Sequence, residues 1–314
     1  MTLIKAYKNE ACEQNLFSQV QDEDYKMNPS LLDLILLSER RKDFLLFLKE
    51  GPKNIEETLE KLQVPRTALL PQIKKLKDED LVIQEEGLYR LSVIGEIIVG
   101  KLQPLLDTLS VFEKNEEFWA DRKLAPIPPH LIKRISELGE YHLIEPDLSH
   151  TFDLNPEFVK HLSNSSCIHM FYSYFHPQFP ALFINLARKG IEISLVLSEP
   201  VYLRLVEDFK EEGKEFLRME NASLYILEKK GVEIPSLIAT ANGIMTLGLF
   251  NESGRFDRQY VISLEPQAIK WGKELFDYYR DMSREIKIKL NCNYSSYQNT
   301  SNDIDFEGIE ESDK

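Results

Sequence analysis

A mixed α/β protein in two parts is what this sequence predicts, on three observations. Near the amino terminus, apolar residues recur at three- and four-residue steps and give way to two short strand-like runs around Gly87. A long apolar stripe from Ile94 to Phe112 follows. Beyond Pro129, strand-like and helix-like stretches alternate, the pattern of an α/β layer. At 314 residues the chain is long enough to bury a core in each part.

Residues 1–29 are polar and acidic, with Gln21-Asp22-Glu23-Asp24 at their middle and no sustained period, so a loose arm is expected there. Periodic sequence begins just after Met27-Asn28-Pro29, which makes Met27 a candidate start of translation. From Leu31 to Leu48 a single helix is expected: Leu31, Leu32, Ile35, Leu36, Phe44, Leu45 and Leu48 form its stripe, with Glu39, Arg40, Arg41 and Lys42 on the wet face. Gly51-Pro52 stops it. Asn54 is a suitable N-cap for a short helix to Leu62, with Glu57 three residues on as the partner in a capping box.

Gln63-Val64-Pro65 breaks the chain before a third helix whose narrow inward stripe is Ala68, Leu69, Ile73 and Leu76. Pro71 leaves two starts open for it. The helix either runs through the proline at the loss of one backbone bond or begins near Leu69 with Pro71 in its first turn. Leu81-Val82-Ile83 and Leu88-Tyr89-Arg90-Leu91, joined by Gln84-Glu85-Glu86-Gly87, read as a hairpin with an acidic tip. Helix, helix, turn, helix and hairpin in this order make a winged helix-turn-helix over residues 30–92, an architecture that lays its third helix in the major groove of DNA. On that reading Arg66, Thr67 and Gln72 reach base edges, while Lys74, Lys75 and Arg90 meet phosphates.

Charge tests this expectation. The whole chain carries 38 Lys and Arg against 52 Asp and Glu, a net charge of −14, which argues against a polyanion as partner. Its distribution points the other way: residues 30–92 hold 11 basic against 12 acidic side chains, and residues 93–314 hold 24 against 35. The acidity therefore lies mostly outside the proposed reader.

Residues 93–130 read as a linker helix followed by a proline-marked crossing (Pro126-Ile127-Pro128-Pro129). The helix should kink at Pro104. Ile94, Ile98, Leu102, Leu105 and Leu109 make a stripe too long for one small domain to cover, and they are the expected seam of a homodimer.

Residues 131–290 are expected to form an α/β effector domain, with strands at 166–173, 191–197, 224–227, 236–240, 244–250 and 260–264 and helices at 179–189, 201–217 and 267–284. Arg188-Lys189-Gly190 has the basic end and glycine stop of a helix C-terminus. Tyr172, Tyr174, His176 and Trp271 are candidates for the wall of a pocket holding a small-molecule effector. Against this, Trp271, Leu275, Phe276 and Tyr279 recur as a core stripe would. Cys167 and His169 share a strand face, but a metal site needs three or four convergent ligands, and an apolar strand more often buries such residues for packing. Residues 291–314, rich in Asn and Ser and then acidic, are expected to be a disordered tail.

Several classes are excluded. No run of about 18 apolar residues exists, and Met1 opens onto Lys5, Lys8 and Glu10, so neither a membrane span nor a secretory leader is expected and the cytoplasm is the expected compartment. Cys12, Cys167 and Cys292 lie far apart, without a disulfide framework or zinc knuckle. A Gly-x-Ser-x-Gly elbow, a phosphate loop and a His-Glu-x-x-His pair are all missing. No enzyme activity and no cofactor are expected.

Beside these readings stands a resemblance. Ser38-Glu39-Arg40-Arg41, Val64-Pro65-Arg66-Thr67-Ala68, Lys74-Lys75-Leu76, Phe118-Trp119, Ile127-Pro128-Pro129-His130-Leu131, Gly254-Arg255-Phe256-Asp257 and Trp271-Gly272-Lys273-Glu274-Leu275-Phe276-Asp277-Tyr278-Tyr279-Arg280 together resemble the archaeal winged-helix transcriptional regulators, largely of methanogens, that carry a methanogenesis-regulatory effector domain. The likeness spans roughly residues 30–285. It implies a sequence-specific regulator of transcription whose C-terminal domain is a sensor, and target genes in methanogenesis and energy metabolism. The chain departs from the pattern at Pro65, where a serine usually precedes the recognition-helix arginine, and in its N-terminal arm. The effector domain also looks like one half of a phospholipase D-like fold. None of the six histidines has a lysine two residues on, so that enzyme's catalytic motif is missing. The expected function is that of a dimeric regulator binding a double-stranded DNA operator. The rival reading uses the winged helix as a protein-interaction module in a transcription or assembly complex.

Overall fold

The computed structural model describes residues 30–145, 153–228, 231 and 233–287. The expected arm (1–29) and tail (291–314) lie outside the described residues. The fold is mixed α/β, and the chain divides between Gln103 and Pro104 into two compact units.

The first unit opens on two helices where one was expected, α1 (Leu31–Leu36) and α2 (Glu39–Leu48). Ser38 separates them in an extended conformation (φ −145°, ψ 108°), and its carbonyl accepts from the amides of Arg41 and Lys42, both at 3.0 Å. Arg41 explains the break. Expected on the wet face, it is 9% exposed, and its Nε donates to the carbonyl of Leu34 while an Nη donates to Gln72 Oε1 at 2.7 Å. A buried guanidinium thus satisfies an end of α1 and ties it to a later helix.

Helix α3 (Ile55–Leu62) starts as its cap predicts, Asn54 Oδ1 accepting from the Glu57 amide at 2.8 Å, while the Glu57 carboxylate pairs with Lys53 at 3.2 Å. Gln63, in the left-handed region at φ 55°, ends it. Of the two starts left open for α4, the structure takes the first. The helix spans Arg66–Asp78, Pro65 stands at the N-cap position, and the helix runs on through Pro71. Leu69, Ile73 and Leu76 are its buried stripe.

Strands β1 (Val82–Glu85) and β2 (Leu88–Leu91) pair antiparallel across Glu86 and Gly87 at φ 52° and 82°, the two left-handed residues that a tight hairpin requires. The amide and carbonyl of Tyr89 also bond those of Lys53, at 2.8 and 2.9 Å, so the hairpin is anchored to the segment before α3. Helix α5 (Val93–Glu113) begins with Ser92 Oγ accepting from the Gly95 amide at 2.9 Å. Gly95 admits no side chain, since a Cβ there would stand 2.1 Å from the Leu81 carbonyl oxygen. The helix continues through Pro104 to Glu113.

In the second unit, α6 (Glu116–Ala120), α7 (Pro129–Ile132) and a 3-10 turn (Ile135–Leu138) lead to β3 (Tyr141–Ile144) and α8 (Pro156–Ser163). There follow β4 (Cys167–Tyr172), α9 (Phe179–Arg188), β5 (Glu192–Ser198), α10 (Glu199–Asp208), α11 (Lys210–Leu217) and β6 (Ala222–Leu227). The unit closes with β7 (Leu237–Ala241), β8 (Ile244–Gly248), β9 (Tyr260–Ser263), α12 (Pro266–Asp281) and β10 (Arg284–Ile286). Among the described residues the ten strands give the hairpin and one eight-stranded sheet, ordered β10-β6-β5-β4-β7-β8-β9-β3. Its three central neighbours β4, β5 and β6 are parallel and the remaining pairings antiparallel.

The single helix expected at 201–217 is two, broken at Phe209 (φ −133°, ψ 41°), whose ring packs on Phe175 at 5.1 Å. The expected strand at 244–250 ends at Gly248, and the expected helix to 284 ends at Asp281, releasing Arg284 into the edge strand β10. Gly190, at φ 86°, follows α9 as the sequence indicates.

Both faces of this sheet are covered, and the period of two sorts its residues. Ile168, Met170 and Tyr172 of β4, with Ile193, Leu195 and Leu197 of β5, join the core beneath α8 to α11. Phe171, Val196, Ile238, Met245 and Leu247 join the opposite core with Trp119, Leu131, Trp271 and Phe276. Helix α12 lies close on that face because Gly272 lets it: a Cβ there would meet Met245 Cγ at 2.4 Å and Thr240 Cγ2 at 2.8 Å.

Candidate functional site

The outward face of α4 follows from its inward one. With Leu69, Ile73 and Leu76 buried, a helix of 3.6 residues per turn must turn Arg66, Thr67, Leu70, Pro71, Lys74 and Lys75 away from the core, and all six are exposed. Arg66 is the first helical residue. Its guanidinium pairs with Glu56 of α3 at 3.2 Å. Among the described residues the side chains of Thr67, Lys74 and Lys75 make no hydrogen bond or ion pair, so these two lysines present bare positive charge.

Gln72 departs from the expected set. It lies at the edge of the buried stripe, half-buried, with its Oε1 taken by Arg41, so its amide braces α4 against α2 instead of facing outward. Arg90 lies on β2 and holds Glu85 across the hairpin through two Nη contacts at 3.0 Å. Lys77 joins α4 to the same hairpin through Gln84 Oε1 at 3.0 Å. The sequence reading missed Arg41 because it stands in a charge run, Glu39-Arg40-Arg41-Lys42, whose other members do remain at least partly exposed.

Along α5 the expected seam residues divide. Ile94, Leu105 and Leu109 are 51%, 50% and 42% exposed, Ile98 is half-buried, and Leu102 is turned into the chain's own core. Ile97, at 63%, joins the exposed side.

In the second unit a cavity of about 570 Å³ opens between β3, α8, the loop after β4 and the segment before β9. Phe158, Tyr174, Phe175, Phe179, Phe256 and Tyr260 form aromatic walls, and Glu145, Asp153, His176 and Arg258 supply charge or polarity. Tyr174 stacks on Phe256 at 4.2 Å. Burial raises the pKa of its hydroxyl and pushes that of Tyr260 up to about 12. Both phenols therefore stay neutral donors. Tyr174 and His176 were expected at such a wall and are there. Tyr172 and Trp271 are not. Tyr172 of β4 projects into the core beneath α9, and Trp271 projects from α12 into the core on the sheet's other face, so the sheet itself keeps the two apart.

Cys167 and His169 share a face, as their spacing requires, yet among the described residues no cluster of His, Cys, Asp and Glu is arranged to hold a metal. His169 packs edge-on against Phe276 at 5.3 Å. Burial, with Lys273 nearby, pushes its pKa down to about 4 from 6.5, although Asp277 opposes the shift. The folded chain thus holds a neutral ring, while the unfolded chain takes up a proton below pH 6.5. Stability is therefore full above pH 6.5 and declines as pH falls toward 4. The ring is only partly buried, so the loss between about pH 7 and pH 5 should be about 1 kcal/mol. Urea unfolding at the two pH values checks this: His169→Asn should flatten the difference, and an equal drop in the variant would refute the assignment to His169.

The geometry is that of an eight-stranded mixed sheet in one unit and of helices and a hairpin in the other. Comparison with known proteins supplies the class. Residues 31–110 match the N-terminal domain, and residues 151–282 the middle domain, of the methanogenesis regulatory protein FilR1. This chain belongs to the family of methanogenesis regulatory proteins that those two domains define. Over 251 residues it is 26% identical to FilR1 of Methanothrix harundinacea (strain 6Ac), an overlap that takes in 79% of this chain and 56% of the relative. The chain thus spans little more than half the length of that protein. Among solved structures, the archaeal chromatin protein TrmBL2, described as showing a novel mode of DNA binding, aligns with a TM-score of 0.34 at 13% identity, over 78% of this chain and 93% of its own. Nuc of Salmonella typhimurium, a phospholipase D family member, aligns with a TM-score of 0.33 at 11% identity, over 47% of this chain and 99% of its own. Among the described residues no helix is long and apolar enough to cross a membrane.

Proposed function

We propose that the chain is a cytoplasmic, sequence-specific regulator of transcription that binds a double-stranded DNA operator as a homodimer and controls genes of methanogenesis and energy metabolism. Residues 30–92 act as a winged helix-turn-helix, with α4 as the recognition helix and the β1–β2 hairpin as the wing. Residues 93–130 carry the dimer seam. Residues 131–290 form the effector domain, where the aromatic cavity takes a small molecule whose binding shifts the spacing of the two readers. One observation carries the reading: α4 presents Arg66, Thr67, Lys74 and Lys75 on a single exposed face in a region near charge balance, within a chain of net charge −14. Arg66 offers a bidentate fork to guanine, and the lysines offer phosphate contacts.

An electrophoretic shift measured across salt tests this. Each lysine on a phosphate adds nearly one unit to the slope of log affinity against log salt, so Lys74→Ala with Lys75→Ala should flatten the slope by about 2 per reader. Arg66→Ala should instead relax the choice of sequence. The acidic hairpin tip, Glu85-Glu86, favours the rival reading of a protein-interaction module. Absence of any DNA complex at low salt would decide for that rival.

A further inference from the structure

Three hydrogen-bond donors line the aromatic cavity of the second unit: the hydroxyls of Tyr174 and Tyr260 and the guanidinium of Arg258. Burial is the main reason the Tyr174 pKa is raised, but a charge on Tyr260 adds to the shift and Arg258 opposes it, so both lie within electrostatic reach of the Tyr174 hydroxyl. Among the described residues neither hydroxyl makes a hydrogen bond. A half-buried phenol without a partner is costly, and two in one cavity call for an acceptor. Arg258 stands at φ 66°, a conformation that residues other than glycine rarely adopt. Its neighbours pin it there, since Asp257 and Gln259 both accept from the buried guanidinium of Arg122. The donor set is thus built before any ligand arrives. Glu145 and Asp153, the carboxylates that line the cavity, are both exposed, and Glu145 already accepts from Gln259 Nε2 at 2.8 Å. They belong to the solvent side of the cavity, and the half-buried donors to its interior.

We propose that this cavity binds an aromatic carboxylate, whose oxygens accept from the Tyr174 and Tyr260 hydroxyls and from Arg258 while its ring lies against Phe158, Phe179 and Phe256. The proposal rests on the reading of the cavity as the effector site and names the chemical class of the effector. An ionised carboxylate only accepts hydrogen bonds, which suits a set of donors, and such charge-assisted bonds are the strong ones. Aromatic walls favour a flat ring, by stacking or edge-on contact. At about 570 Å³ the cavity has room for an acid of one or two rings. An ammonium in the same place would stand against the charge of Arg258.

Naphthoate, naphthamide and naphthylmethylammonium, all substituted at the same ring position, share one apolar body and differ in charge. Titrating each into the full-length chain by calorimetry therefore separates the carboxylate from the ring. The acid should bind about tenfold more tightly than the amide, and the ammonium most weakly. Tyr174→Phe and Tyr260→Phe, which keep the rings, should each weaken the acid about tenfold, and Arg258→Gln should weaken the acid more than the amide. Thermal melts of the variants that match wild type exclude a folding defect. The proposal is overturned if the amide or the ammonium binds as tightly as the acid, or if all three variants hold the acid as wild type does; either result leaves the cavity an effector site for another class of ligand. Absence of binding by all three probes overturns the effector reading together with the proposal. Binding of the acid that depends on both hydroxyls but leaves operator affinity unchanged sustains the proposal and overturns the effector reading alone.

Discussion

The variant carrying Ile97→Glu and Leu105→Glu should be a monomer in solution and should bind its operator about 100-fold more weakly than wild type. Ile94, Ile97, Leu105 and Leu109 fall on one side of α5 at steps of three, eight and four residues, and each is exposed in the single chain. Apolar groups spaced along several turns gain nothing from water. Facing the same groups on a second copy, they would contribute roughly 25 cal/mol for every Å² removed from solvent. The glutamates add like charges on both sides of the same seam and repel. Since the replaced side chains are 63% and 50% exposed, the fold of each chain should be unaffected, unlike a change at buried Val99 or Leu102. A dimer binds two half-sites with one loss of translational freedom, and a monomer forfeits that gain. Sedimentation and operator titration provide the check. A variant that stays dimeric would place the seam elsewhere, and a monomer of undiminished affinity would separate dimerisation from DNA binding.

Trp271→Ala should cost about 3–5 kcal/mol, enough to unfold the second unit under conditions where wild type is folded. The indole is fully buried in the core beneath α12, and its Nε1 donates to the Leu131 carbonyl at 2.9 Å. Truncation opens a large cavity and removes one of the two donors to that carbonyl, leaving it the Arg134 amide at 2.9 Å. The surroundings are poorly able to collapse into the space. The adjoining Gly272 already brings α12 against Met245 and Thr240, and Arg134 clamps the helix by bonding Glu274 at 2.6 Å and Glu137 at 2.7 Å. Both of these carboxylates favour a charged Arg134, and the Glu274 carboxyl is held below its ordinary pKa by that guanidinium. Trp271→Phe should cost less, since most of the volume remains. Chemical unfolding of the three proteins would show it, and a loss below about 1 kcal/mol for the alanine variant would mean that the site relaxes.

What could be read from the sequence was what depends on local periodicity and turn chemistry. Asn54 as a cap, Gly87 in the hairpin, Gly190 after α9 and the stripe Leu69, Ile73, Leu76 all follow from a few neighbouring residues. The alternation of strands and helices after Pro129 gave the class of the second unit for the same reason. What remained hidden depends on partners distant in the chain. The break at Ser38 arises because Arg41 turns inward to Leu34 and Gln72, and a charged residue within a charged run carries no local sign of that. The break at Phe209 likewise reflects packing against Phe175. Of the cavity residues, Phe158 comes from α8 while Phe256 and Tyr260 come from the distant stretch leading into β9, so no local spacing joins them. Tyr172 and Trp271 share aromatic character, but which face of the sheet each lies on is set by the packing of α9 on one side and α12 on the other, which no local pattern announces.

In the free chain the two arginines nearest the proposed duplex surface already hold anions, Glu56 for Arg66 and Glu85 for Arg90. A phosphate or base that takes either guanidinium must evict a carboxylate, and the evicted group then gathers sodium or potassium from solution. Cations displaced from the nucleic acid are thereby partly recaptured by the protein. The ionic-strength dependence of binding would then report the unpaired lysines almost alone.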